Sequence, residues 1–127
     1  MDEYKLWLQK AKEDLLWTEN SLDGKIFYGA CFTAHQAAEK ALKSFLLFHK
    51  KPLRKVHDLR ALLEDCIKID KDFEMLRDSV VTISPYYIET RYPIYEELVS
   101  FSEKDAREAY GLASEVINFV ERKINKS

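Results

Sequence analysis

Arg91 is the residue whose setting most suggests chemistry. It stands in Thr90-Arg91-Tyr92-Pro93, where the proline stiffens the backbone that follows the arginine. A planar guanidinium held in this way can grip a phosphate or a carboxylate through paired hydrogen bonds. The anion can come from outside, as a nucleotide or RNA phosphate, or from the chain itself, with a bundle carboxylate such as Asp14 as an internal clamp. Lys40 and His57 are further candidates for an external phosphate. His35 and Glu39 lie one helical turn apart and in principle share a metal. Two ligands without a third do not make a zinc site, and a histidine hydrogen-bonded at a helix interface is the plainer reading.

The other familiar centres are missing from the sequence. It has no glycine-rich phosphate loop, no nucleophile elbow and no Cys/His cluster, so no cofactor or metal is expected. Cys31 and Cys66 fall at no metal-binding spacing and read as buried reduced thiols, which suits a cytoplasmic protein. The start, MDEYKLWLQK, lacks a basic segment followed by an apolar run, and no window is apolar enough to cross a membrane. A net charge of −2 gives no global attraction for nucleic acid, so any phosphate contact needs a local patch. The segment HKKPLRKVHDLR is such a patch, holding Lys50, Lys51, Arg54, Lys55 and Arg60 against Asp58. It also reads as a solvated linker whose charges favour the end of the preceding helix.

The elements that must position these residues are helices. Only 3 glycines and 3 prolines in 127 residues leave little turn material, and the length suits a single domain spanning 1–127. Tyr4, Trp7, Leu8, Ala11, Leu15, Thr18 and Leu22 recur at helical spacing in a first helix, stopped at Asp23-Gly24, where the glycine is expected to take positive φ. The short turn makes the next helix its antiparallel neighbour. That second helix is the organising element. Ala30, Ala34, Ala37, Ala38, Ala41, Leu42, Phe45 and Phe48 form one stripe, while Tyr28, Phe32, His35, Glu39 and Leu46 form a second face that invites another subunit. Glu39, Lys40 and Lys43 read as surface charges, with Glu39 and Lys43 spaced as an ion pair.

A shorter helix capped by His57 or Asp58 carries Leu59, Leu62, Leu63 and Cys66 inward, and a fourth helix is expected over residues 72–84. Residues 84–97, rich in tyrosine, read as an ordered connection lying on the bundle, with Tyr92 and Tyr95 as interface candidates beside Tyr28, Phe32 and His35. Ser102 and Asp105 suggest a capping box that starts a last, alanine-rich helix, whose small residues are expected to make the closest pair with the second helix. The result is an all-α, up-and-down antiparallel bundle of four main helices and a short extra one.

Several of these segments coincide with one family. Ala34-His35-Gln36-Ala37-Ala38-Glu39-Lys40-Ala41-Leu42-Lys43 resembles the second-helix signature of HEPN domains. His57-Asp58-Leu59, Arg91-Tyr92-Pro93, and Ala11 with Asp14-Leu15 complete the likeness in order along nearly the whole chain. The resemblance implies a helical bundle that commonly forms homodimers and that is often paired with a minimal nucleotidyltransferase of the MNT type in toxin-antitoxin-like couples. It also implies, for many members, a metal-independent ribonuclease site built from an arginine, four to six intervening residues and a histidine. Here those positions after Arg91 hold Glu96, Glu97 and Leu98. Carboxylates repel a phosphodiester and do not replace an imidazole at neutral pH. The expected function is therefore that of a partner subunit with nucleotide or RNA binding, with a noncanonical ribonuclease or a purely structural dimeric module as alternatives.

Overall fold

Alanine and threonine decide how the first two helices meet. In the computed structural model, which describes residues 2–91 and 101–126, α1 spans Glu3–Asp23 and α2 spans Phe27–Phe48. Ala11, Ala34, Ala37 and Ala41 are fully buried, so the two backbones approach closely along their length. Polar bonds cross the same seam. The Thr18 and Thr33 hydroxyls lie 2.7 Å apart, Lys40 Nζ donates to Asp14 Oδ2 at 2.6 Å, and Ser44 Oγ donates to the Tyr4 carbonyl at 2.8 Å. Partner numbers fall on α1 as they rise on α2, which makes the pair antiparallel. This is the most extensive helix pair among the described residues, ahead of α2 with the last helix, contrary to the expectation from the alanine stripes. The seam with α1 combines small side chains with buried hydroxyls over both full lengths.

The turn between them also departs from expectation. Gly24 has φ −83°, and the left-handed residue is Lys25 at φ 59°. Lys25 N–H donates to the Leu22 carbonyl at 3.0 Å and Ile26 N–H to that of Ser21 at 2.8 Å, a Schellman closure that needs positive φ one residue beyond the glycine. The end of α2 repeats it. Lys50 has φ 59°, with Lys50 N–H on the Leu47 carbonyl and Lys51 N–H on that of Leu46.

Helix α3, Leu59–Ile69, is capped by Asp58, whose Oδ1 accepts from the Arg60 and Ala61 amides. The expected fourth helix is split into a 3-10 turn, Lys71–Leu76, and α4, Arg77–Ile83. In a 3-10 turn residues three apart share one side, which puts both Phe73 and Leu76 in the core. Pro85 then leads into a four-residue helix, α5, Tyr86–Glu89. Helix α6, Glu103–Asn125, starts from a complete capping box in which Ser102 Oγ accepts from Asp105 N–H and the Asp105 carboxylate accepts from Ser102 N–H.

The described helices share one core, an all-α bundle centred on α2. The Phe73 ring lies 4.3 Å from that of Phe45, centre to centre, and meets Phe119 edge-on at 4.9 Å, tying the 3-10 turn to α2 and α6. Lys123 reinforces that join with Asp70 at 2.8 Å. Cys31 and Cys66 are both buried and form no disulfide, and burial pushes the Cys66 thiol well above its ordinary range.

Candidate functional site

The second face of α2 is covered largely by the chain itself. Tyr87 on α5 lies 6.2 Å from Phe32 and 5.4 Å from His35, ring centre to ring centre, and stacks almost parallel on His57 at 4.4 Å. On the same ring the Arg91 guanidinium sits 4.7 Å from the centroid, a cation-π contact. Tyr87 thus contacts both Arg91 and His57, which are far apart in sequence. Arg91 itself is exposed.

Beneath His57 is a buried carboxylate. Glu39 is only 2% exposed, and its Oε1 lies 2.9 Å from His57 Nδ1 while Oε2 accepts from Lys43 Nζ at 3.1 Å. The Lys43 ammonium, itself buried, also lies 5.5 Å from the centre of the Trp7 ring. Glu39 and Lys43 are therefore an interior ion pair and not surface charges. Their i, i+4 spacing was legible, but nothing local revealed that a histidine from the next loop would close over them. An ionised carboxylate only accepts, so Nδ1 carries the proton of the His57 contact and Nε2 is the ring's remaining polar atom. His57, Asp58, Ser84, Pro85, Tyr87 and Ile88 line a cleft of about 610 Å3.

His35 is fully buried within the chain. Its Nδ1 lies 3.0 Å from Gln36 Oε1, and Nε2 has no hydrogen-bond partner among the described residues. Burial lowers its pKa below the ordinary 6.5, against the opposing pull of Gln36 and Glu39, so the ring is held neutral.

The remaining candidates separate. Lys40 turns toward α1 and is bound to Asp14, so the structure does not bring it to Arg91 and His57. The same bond occupies the carboxylate suggested as an internal clamp for Arg91. Tyr28 is 49% exposed and Phe32 half-buried; Tyr92 and Tyr95 lie outside the described residues. The residue overlooked in the sequence was Tyr87. Its signal was there: Tyr87 and Arg91 are four apart, the spacing that stacks an arginine over a ring once the segment turns helically. Among the described residues no set of three or more His, Cys, Asp or Glu is arranged to hold a metal, and no helix is long and apolar enough to cross a membrane.

Residues 4–123 match the family model described as the HEPN domain. Among solved structures the chain is similar to TT1696 from Thermus thermophilus, with 31% identity and a TM-score of 0.82 over 97% of this chain and 99% of that one. It is also similar to ST0689, described as an archaeal HEPN homologue, with 25% identity and a TM-score of 0.77 over 98% and 99% of the two chains. No curated protein matches it.

Proposed function

The chain belongs to the HEPN family, and from that membership we propose that it is the helical partner subunit of an MNT-type nucleotidyltransferase, holding a nucleotide or RNA phosphate on its Arg91 face. In this reading it works in the cytoplasm as a homodimer and as one half of a toxin-antitoxin-like pair. The observation that carries the binding part is the exposed Arg91 guanidinium stacked on Tyr87, with His57 stacked on the same ring and lining the adjoining cleft. Stacking fixes the guanidinium without spending its N–H donors, which have no hydrogen-bond partner among the described residues. The pairing with a nucleotidyltransferase rests on the family resemblance. It is tested by mixing the purified chain with an MNT-type nucleotidyltransferase from the same organism and measuring the assembly by sedimentation. A stable mixed complex supports the reading, and separate sedimentation of the two proteins at micromolar concentration contradicts it.

A second reading, a metal-independent ribonuclease with a noncanonical site, is favoured by one specific contact. The histidine missing after Arg91 has a counterpart in His57, which Glu39 orients as a carboxylate orients a general base. In that chemistry His57 Nε2 takes the proton of an RNA 2′-hydroxyl, the 2′-oxygen bonds to phosphorus, and the bond from phosphorus to the 5′-oxygen breaks. The proton then passes to the departing 5′-oxygen, and Arg91 offsets the charge on the phosphoryl oxygens. Cleavage of RNA in EDTA that disappears in both His57→Ala and Arg91→Ala supports this reading. Absence of cleavage by the wild type, or cleavage unchanged in either variant, rules it out.

A further inference from the structure

A second cleft, of about 300 Å3, lies where the end of α2 meets α3 and shares no lining residue with the one beside His57. Leu46, Pro52 and Ile69 give it an apolar wall, and Lys51, Arg54 and Lys68 supply cations. Asp65 is the one acid in the lining, so positive charge is in surplus on a chain whose net charge is −2.

Both sides of this cleft are fixed. On one side the Lys51 amide donates to the Leu46 carbonyl at 3.0 Å, in the turn that holds Lys50 at φ 59°. That left-handed turn closes the end of α2, and Lys51 follows it into the lining of the cleft. On the other side Arg54 Nη1 donates to Asp65 Oδ2 at 2.7 Å and pins the loop to α3. With Asp65 engaged by Arg54, Lys51 and Lys68 have no carboxylate partner among the described residues.

We infer that this cleft binds a small organic anion with an apolar body, its head group on Lys51 and Lys68 and its body against Leu46 and Ile69. A bare inorganic ion leaves the apolar wall in water, and a neutral apolar molecule leaves the lining lysines without a counter-charge. Only a ligand with both parts satisfies the whole surface. The site is independent of the Arg91 face.

Octanoate, 1-octanol and inorganic phosphate distinguish these cases in calorimetric titrations of the full chain at low ionic strength. Saturable binding of octanoate is expected, at least about tenfold tighter than of octanol or phosphate and weakening as salt rises. The variant carrying both Lys51→Gln and Lys68→Gln, which changes only exposed side chains, should lose about tenfold in octanoate affinity with its melting temperature unchanged, while Arg91→Ala should bind octanoate as the wild type does. The inference is overturned if octanoate does not saturate, if octanol binds equally well, or if the double variant keeps wild-type affinity.

Discussion

Glu39 Oε1 lies 2.9 Å from His57 Nδ1, so a carboxylate buried on the central helix sets the orientation of an exposed ring in the following loop. The same carboxylate neutralises the buried Lys43 ammonium. The core charge pair and the face of the candidate site thus share one residue, and stability and site geometry are linked through it.

Removing that charge leaves Lys43 uncompensated in the interior. Glu39→Gln should cost about 3 kcal/mol in urea-induced unfolding, the range for a buried pair broken on one side. Adding Lys43→Met should recover much of the loss, because the stranded charge then goes too. A single-variant loss below about 1 kcal/mol would show that the pair is solvated and not interior.

His35 predicts how stability follows pH. Its pKa is lowered in the folded chain by burial, so the unfolded chain binds more protons just below the ordinary value of 6.5. The stabilisation is fully present above that pH and is lost as pH falls toward the folded value. Melting temperature should decline from about pH 7.5 to about pH 5.5, and less steeply in His35→Gln. Equal slopes for the two proteins would remove His35 as the cause.

Lysines at left-handed positions mark two strained turns. Lys25→Gly and Lys50→Gly should each raise stability by roughly 1 kcal/mol, since glycine takes positive φ without the Cβ clash. Unfolding curves with unchanged or lower midpoints would show that each lysine side chain compensates for its backbone.

The long elements were legible because their apolar residues repeat over many turns. Helices α1, α2 and α6 and the Ser102 capping box follow from local pattern, and of the two cap candidates read for α3, His57 and Asp58, the structure uses Asp58. What was not legible depended on distant partners. Glu39 and Lys43 look like surface charges until His57 and Trp7 close over them, and residues 84–91 read as connection because proline and adjacent tyrosines mask a helix of four residues. The glycine rule pointed to Gly24, whereas the Ile26 amide bonded to the Ser21 carbonyl moves the left-handed position to Lys25. The Arg91 and His57 candidates were legible as types; their meeting through Tyr87 was not.

The capping box gives a local check on α6. Ser102→Ala removes the acceptor of the Asp105 amide and should cost about 1 kcal/mol. Hydrogen exchange should quicken in the first turn of the helix before the rest. Uniform quickening along α6 would mean that the cap does not control that end alone.

The most direct measurement of the account is a thermal-shift titration of wild type and Arg91→Ala with nucleotides and short RNA. A ligand that binds the folded chain raises its melting temperature, by about 2.7 kcal/mol of added stability at a hundredfold excess over Kd. The account predicts a shift for wild type and little or none for Arg91→Ala, with the unliganded melting temperatures alike. Equal shifts in the two proteins, or none in either, would contradict a phosphate site at Arg91.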